Sequence, residues 1–283
     1  MSVSYDFTGK VVLITGSSSG IGEGIALLFA KSGANVVITG RNGDRVTKVA
    51  KQCKDVSPKQ LPALEVVGDL TNDEDCNRLI ETTVQTYGKI DILVNNAGID
   101  KLANITDDGY YENFQTIIQT NLYSVVYLTH KCVPYLAKTG GNIINISDIG
   151  SEIMFSDSSA YCMSKAGLDM FTKCMAAELG PKHHIRVNSV KLTVLQLIIC
   201  PKQHWICLPN VWPQSWDPNV LELIQSIQQL LIQILSLISV HRNRLPTNCI
   251  RQRLPNTRSV GLAGLKILPI VLPIWPVIRR PGF

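Results

Sequence analysis

The stretch that decides the fold is Val11-Val12-Leu13-Ile14-Thr15-Gly16-Ser17-Ser18-Ser19-Gly20-Ile21-Gly22. Residues 11–15 form an uninterrupted apolar run of strand length, and such runs mark strands buried on both faces. A glycine- and serine-rich turn follows, and then a helix from about Ile21 to Ser32, closed by Gly33. Strand–turn–helix is the opening of a βαβ unit, and the same alternation continues outward along the chain. Strands are expected at Asn35–Thr39, Leu64–Val67, Ile90–Val94, Asn142–Ile146 and Ile185–Val190. Helices are expected at Gly43–Cys53, Asp73–Tyr87, Tyr110–Leu136 and Ser158–Leu179, the last ended by Gly180 and Pro181. Alternating elements of this kind imply an α/β doubly wound parallel sheet, the Rossmann fold.

The pattern stops near Val190. Residues 1–190 hold 17 Lys/Arg against 20 Asp/Glu, a balance of −3. Residues 191–283 hold 10 Lys/Arg against Asp217 and Glu222 alone, a balance of +8, and carry 10 of the 14 prolines. The net charge of +5 therefore belongs to the tail, and a nucleic-acid surface on the main domain is not expected. Leu223–Val240 is uncharged and apolar, but its four glutamines argue against a membrane span. The eight cysteines form no C-x-x-C pair and no zinc-type cluster with histidine, so no metal is expected. Residues 1–10 lack a basic-then-apolar signal pattern, and reduced thiols suit a cytoplasmic protein. The division expected is 1–190 as the main domain and 191–283 as an atypical tail.

The turn carries the first chemistry. In Thr15–Gly22, Gly16 permits the tight turn, Gly20 lets backbone approach a phosphate, and Gly22 allows the helix to pack closely on the strand. The helix start presents unpaired N–H groups and the positive end of its dipole. Gly16, Ser19, Gly20, Ile21 and Gly22 are thus candidate contacts to a dinucleotide. The end of the second strand chooses between coenzymes, because a carboxylate there binds a ribose 2′-hydroxyl and repels a 2′-phosphate. Gly40 and Arg41 stand there instead, with Arg45 one turn further on, so the expected cofactor is NADP(H), with Arg41 pairing with the phosphate.

Tyr161 and Lys165 are four residues apart at the start of a helix and share one face. An ammonium beside a phenol favours the phenolate, and a tyrosine so tuned exchanges a proton with an alcohol or alkoxide near neutral pH. Together with Asp69-Leu70, Asn95-Asn96-Ala97-Gly98, Asn121 and Ile185-Arg186-Val187-Asn188-Ser189-Val190, these motifs resemble the short-chain dehydrogenase/reductase family over about two-thirds of the chain. The resemblance implies hydride transfer between NADP(H) and a small carbonyl or alcohol substrate, with Tyr161 as acid/base. It implies that Asp69 and Leu70 flank the adenine and that Asn96, Ala97 and Gly98 line the cofactor. It gives Asn121 a water in a proton relay through Lys165, and gives Lys165 a bond to the nicotinamide ribose. The long helices are a candidate surface for homo-oligomers.

Two departures stand out. The family's serine, thirteen residues before the tyrosine, is replaced by Asp148. An ionised Asp148 would repel a developing oxyanion, a protonated one could donate to it, and neighbouring Ser147 is a substitute candidate although strand alternation turns it the other way. Impaired chemistry is the expectation. The family's Asn-Pro-Gly and closing segments are also missing after Val190, where Lys191-Leu192-Thr193 follows. Codons built from the last base of each residue and the first two of the next let Leu265–Gly282 read Glu-Asp-Ile-Ala-Asp-Cys-Phe-Ala-Tyr-Leu-Ala-Ser-Asp-Thr-Thr-Thr-Gly. That resembles the family's penultimate helix. Asn256–Gly261 likewise permits His-Pro-Leu-Gly-Arg, and Trp275-Pro276 forces the alanine codon needed. The tail thus reads as a translation in another frame, beginning near residues 190–196. Such a tail should add no seventh strand to the sheet, with Leu223–Val240 its one regular element. The alternative to an enzyme is a dead nucleotide-binding remnant.

Overall fold

The computed structural model describes residues 5–192. Leu223–Val240 and the question of a seventh strand in the tail lie outside the described residues. Six parallel strands form one sheet: β1 Val11–Ile14, β2 Asn35–Gly40, β3 Leu64–Val67, β4 Ile92–Asn95, β5 Asn142–Asp148 and β6 Arg186–Leu192. Their spatial order is β3-β2-β1-β4-β5-β6. The order reverses between β1 and β4, so a crevice opens beyond their carboxyl ends, where such folds place ligands.

The helices are α1 Gly20–Lys31, α2 Gly43–Val56, α3 Asp73–Tyr87, α4 Tyr110–Ile118, α5 Ser124–Thr139 and α6 Ser159–His183. Strand alternation sorts the core to the two faces of the sheet. Val12 and Ile14 of β1 pack with Ile25 and Phe29 of α1 and Val46 and Val49 of α2. Leu13 packs on the other face with Leu79 of α3, Leu128 and Leu136 of α5, and Leu179 of α6. Fully burying side chains of this size contributes about 1.5–3 kcal/mol each, so both layers hold the switch point rigidly.

Local signals explain most element boundaries. Asn72 caps α3 by accepting the Glu74 and Asp75 N–H groups, and Asn42 caps α2 through Arg45 N–H. Gly88 and Gly140 end α3 and α5 in the left-handed conformation. Two expectations need correction. The long helix of 110–136 is broken at Gln119–Tyr123 by a turn of π-helix, so it is two helices offset by an extra residue. Gly180 and Pro181 do not end α6, which continues to His183 and stops where left-handed His184 returns its N–H to the Gly180 carbonyl. A proline in the last turn forfeits one hydrogen bond but has little helix beyond it to disrupt.

Candidate active site

The glycine turn after β1 is fastened to the loop after β4 by Thr15. Its hydroxyl accepts the N–H groups of Asn96 and Ala97 at 2.9 and 3.0 Å. Asn96 returns its side-chain amide to the carbonyls of Thr15 and Gly16 at 2.8 and 3.2 Å. The close fit explains the third glycine. A Cβ on Gly22 would lie 2.3 Å from the Gly16 carbonyl oxygen and 2.5 Å from Asn96 Nδ2. Behind this contact, Asn95 donates to Asn145 at 2.8 Å and Asn145 to Thr172 at 2.8 Å, a buried polar ladder across β4, β5 and α6.

A cleft of about 560 Å³ opens above the turn. Of the expected cofactor contacts, Gly16, Ser19, Ile21, Arg41, Asp69, Leu70, Asn96, Ala97 and Gly98 line it. Gly20 and Gly22 do not, and neither do Tyr161 and Lys165. Ser18, Asn42, Arg45 and Thr120 line it as well. The end of β2 carries a contact that links positions 18 and 40. A Cβ on Gly40 would meet Ser18 Oγ at 2.3 Å and Ser18 Cβ at 2.8 Å. The chain therefore has no room for an acidic side chain at position 40 while Ser18 stays in place. A polar floor of backbone N–H groups, an open helix start and two arginines suit a dinucleotide carrying phosphates.

The second part of the site adjoins Gly98, where a Cβ would lie 3.5 Å from Asn121 Oδ1 and 3.6 Å from Lys165 Nζ. Asn121 sits in the π-turn and is clamped at both ends of its amide. Its oxygen accepts Ile99 N–H at 2.8 Å, and its nitrogen donates to the Ile99 carbonyl at 2.8 Å and to Ser164 Oγ at 3.1 Å. Lys165 is buried and donates to the Ile146 carbonyl at 2.9 Å, with its Nζ 5.5 Å from the centre of the Tyr161 ring. Burial pulls the Lys165 ammonium down to about 8, although Asp148 and Asp169 oppose this.

The expected lowering of the Tyr161 phenol is not what the structure gives. Burial first, and then the carboxylates of Asp148 and Asp100, push it above its ordinary value. Lys165 donates its ammonium to a β5 carbonyl and stands over the Tyr161 ring instead of hydrogen-bonding to its phenol. Burial and these carboxylates favour the protonated phenol. Ser147 is 1% exposed and lies near Asp169 of α6, whose carboxyl burial raises but the polar influence of Ser151, Ser147 and Lys191 holds below its usual range. The charge of Asp148 acts on both Tyr161 and Lys165. Asp100 is a site residue that sequence reasoning missed, since a lone acid in a loop carries no pattern.

The fold and the cleft define a Rossmann-type nucleotide-binding protein. Residues 10–196 match the family model described as short chain dehydrogenase, and the chain belongs to that family of oxidoreductases. It is 37% identical over 183 residues to the 11-beta-hydroxysteroid dehydrogenase-like 2 protein of Arabidopsis thaliana, covering 64% of this chain and 58% of the plant protein. The chain thus spans a little over half the length of that curated relative. Among solved structures, L-sorbose reductase from Gluconobacter frateurii, complexed with NADPH and L-sorbose, is 34% identical with a TM-score of 0.63, over 67% of this chain and 71% of that one. The 3-ketoacyl-(acyl-carrier-protein) reductase from Brucella melitensis, complexed with NADH, is 33% identical with a TM-score of 0.61, over 66% and 76%. Relatives therefore bind either nicotinamide coenzyme. The comparisons lend no support to a dead remnant.

Proposed function

We propose that this protein is an NADP(H)-dependent oxidoreductase that interconverts a small carbonyl compound and its alcohol. The observation that carries this reading is the meeting of the glycine turn, the Asn96–Gly98 segment, Asn121 and Lys165 around one loop, with Gly98 common to both parts and Lys165 over the Tyr161 ring. Bound in the cleft, the coenzyme supplies the hydride that passes to or from the carbonyl carbon. Residues 1–190 form the binding and catalytic domain, and 191–283 are a segment read in a different frame; the family match ends at residue 196.

Two features favour the phosphorylated coenzyme. Arg41 and Arg45 line the cleft at the end of β2, where they can pair with a 2′-phosphate. Ser18 leaves position 40 without space for the carboxylate that would select a 2′-hydroxyl. At the reacting end, Tyr161 gives its proton to the substrate oxygen as the carbonyl is reduced. Lys165 holds the coenzyme ribose, and Asn121 orders the segment after β4 through its paired bonds to Ile99. The cysteines described (Cys53, Cys76, Cys132, Cys162 and Cys174) are free thiols, which suits action in the cytoplasm.

The test is NADPH-dependent reduction of an activated ketone by the full chain and by Tyr161→Phe. Removing a general acid should lower kcat by about 100-fold or more while NADPH still quenches protein fluorescence with unchanged affinity. A Tyr161→Phe protein as active as the parent would overturn the assignment of Tyr161.

A further inference from the structure

Asp148 occupies the place where the family resemblance sets a serine, and among the described residues it makes no ion pair. It is the last residue of β5 and 5% exposed. Its Oδ1 accepts the Gly150 N–H at 2.7 Å, capping the short turn Ile149–Ser151, and this is its only hydrogen bond among the described residues. Neither nearby lysine pairs with it. Lys165 Nζ is directed at the Ile146 carbonyl, and Lys191 is paired with Glu152 and, at 3.1 Å, with Asp169. Among the described residues, the charged and titratable groups that act on it are Lys165 and Tyr161 from α6 and Asp100 from the segment after β4. Asp100 accepts a hydrogen bond from Ser158 at 3.0 Å and brings a second carboxyl to the same place.

We propose that Asp148 enters the reaction as a neutral carboxylic acid, its Oδ2–H donating a hydrogen bond to the substrate's carbonyl oxygen beside Tyr161. The inference rests on the oxidoreductase reading above and adds to it a catalytic donor of unusual type. The capping bond decides which oxygen carries the proton: Oδ1 is held as an acceptor by Gly150, which leaves Oδ2 for the hydrogen. Burial raises the Asp148 carboxyl, and it stays raised although the Gly150 N–H and Lys165 pull it down; Asp100 adds to the rise.

Asp148 keeps its proton throughout. Reduced coenzyme, when bound, would supply the hydride to the carbonyl carbon as the π pair moves onto the oxygen, and the Tyr161 O–H proton would complete the alcohol. One carbonyl, one NADPH and one proton from solvent, which restores the phenol, give one alcohol and one NADP⁺. Ionising Asp148 would remove a donor and set a negative charge against the charge developing on oxygen. Reduction should therefore be confined to pH below the titration of Asp148, a restriction that a serine would not impose.

The experiment is the pH profile of kcat/KM for NADPH-dependent reduction of phenanthrenequinone by the full chain, between about pH 5 and 9, with Asp148→Ser, Asp148→Asn and Asp100→Asn alongside. The parent should lose about tenfold per pH unit above the Asp148 titration. Asp148→Ser and Asp148→Asn keep a donor that does not titrate, so this limb should vanish and leave only the later fall set by Lys165. Asp100→Asn, by removing a facing carboxylate, should move the parent's limb to lower pH. Superimposable profiles for the parent and Asp148→Ser would overturn the proposal. So would a parent rate that rises with pH, or one that rises for amine-bearing ketones alone, since either needs Asp148 ionised. A ¹³C NMR titration of the Asp148 carboxyl, assigned by its loss in Asp148→Asn, reads the same group without turnover. A midpoint above the ordinary aspartate value of about 3.9 is expected, and an ordinary midpoint would overturn the proposal. If no protein, Asp148→Ser included, reduces the quinone, the oxidoreductase reading fails, and the carbon titration still decides the state of Asp148.

Discussion

The proposed choice of NADP(H) rests on a close approach between Ser18 and Gly40, and substitution at one of them should fail without the other. Gly40→Asp alone places a Cβ 2.3 Å from Ser18 Oγ and 2.8 Å from Ser18 Cβ. The second distance matters more, because rotating the hydroxyl does not move Ser18 Cβ. Overpacking of this kind costs about 1–3 kcal/mol, so this single variant should melt lower and gain little affinity for NADH. Arg41→Ile should remove the charge-assisted hydrogen bond proposed for a 2′-phosphate, an interaction of about 1.5–3 kcal/mol. Arg41 is exposed, which places the loss at the lower end, about tenfold in Kd. The triple variant Ser18→Gly/Gly40→Asp/Arg41→Ile frees the space, installs the carboxylate and removes the cation, and should prefer NADH. The assay is fluorescence titration of NADPH and NADH at two ionic strengths, with a thermal melt of each variant. Only the parent's NADPH affinity should weaken markedly with salt. Equal affinity of the parent for both coenzymes would refute the reasoning, as would a Gly40→Asp protein of unchanged melting temperature that binds NADH tightly.

Other outcomes follow from the same contacts. Gly22→Ala should lower stability by about 1–3 kcal/mol and abolish coenzyme binding, because its Cβ meets the Gly16 carbonyl and Asn96; a thermal melt and an NADPH titration check both effects. Burial raises the Asp91 carboxyl, but hydrogen bonds from Lys10, Lys89 and the Val11 N–H outweigh it and hold Asp91 below its usual range. A depressed carboxyl contributes stability above its unfolded value of about 3.9 and loses it as pH falls through the folded value. Asp91→Asn should therefore destabilise the protein at neutral pH and flatten the acid limb of its urea-denaturation profile. Sequencing the transcript across codons 185–283 should reveal a frame change near codons 190–196; an unbroken frame confirmed in independent transcripts would remove the explanation given for the tail.

Much of the fold was legible because the central strands β1, β4 and β5 are buried on both faces. Runs such as Val11–Ile14 and Asn142–Ile146 announce themselves without any periodicity, and Asn72 and Gly88 mark the ends of α3. The π-turn around Asn121 was not legible. A single extra residue leaves the apolar texture of 110–136 unchanged, and its cause lies in tertiary bonds from Asn121 to Ile99 and Ser164. The glycine turn and the Asn96–Gly98 segment could be assigned to one cleft from their places after β1 and β4. The Ser18–Gly40 contact could not, because it depends on how a turn and a strand end approach each other in space. Helical spacing put Tyr161 and Lys165 on one face, but it could not say that burial would outweigh their attraction or that Lys165 would turn to Ile146.

The central claim is hydride transfer by this chain, and isotope transfer tests it most directly. The full-length protein is incubated with NADPH deuterated at both C4 positions and an activated ketone, and the alcohol is analysed by mass spectrometry. One deuterium per alcohol, bound to the carbinol carbon, with transfer lost in Tyr161→Phe, is the expected result. Alcohol formed without deuterium, or no alcohol from a protein that binds NADPH, would contradict it.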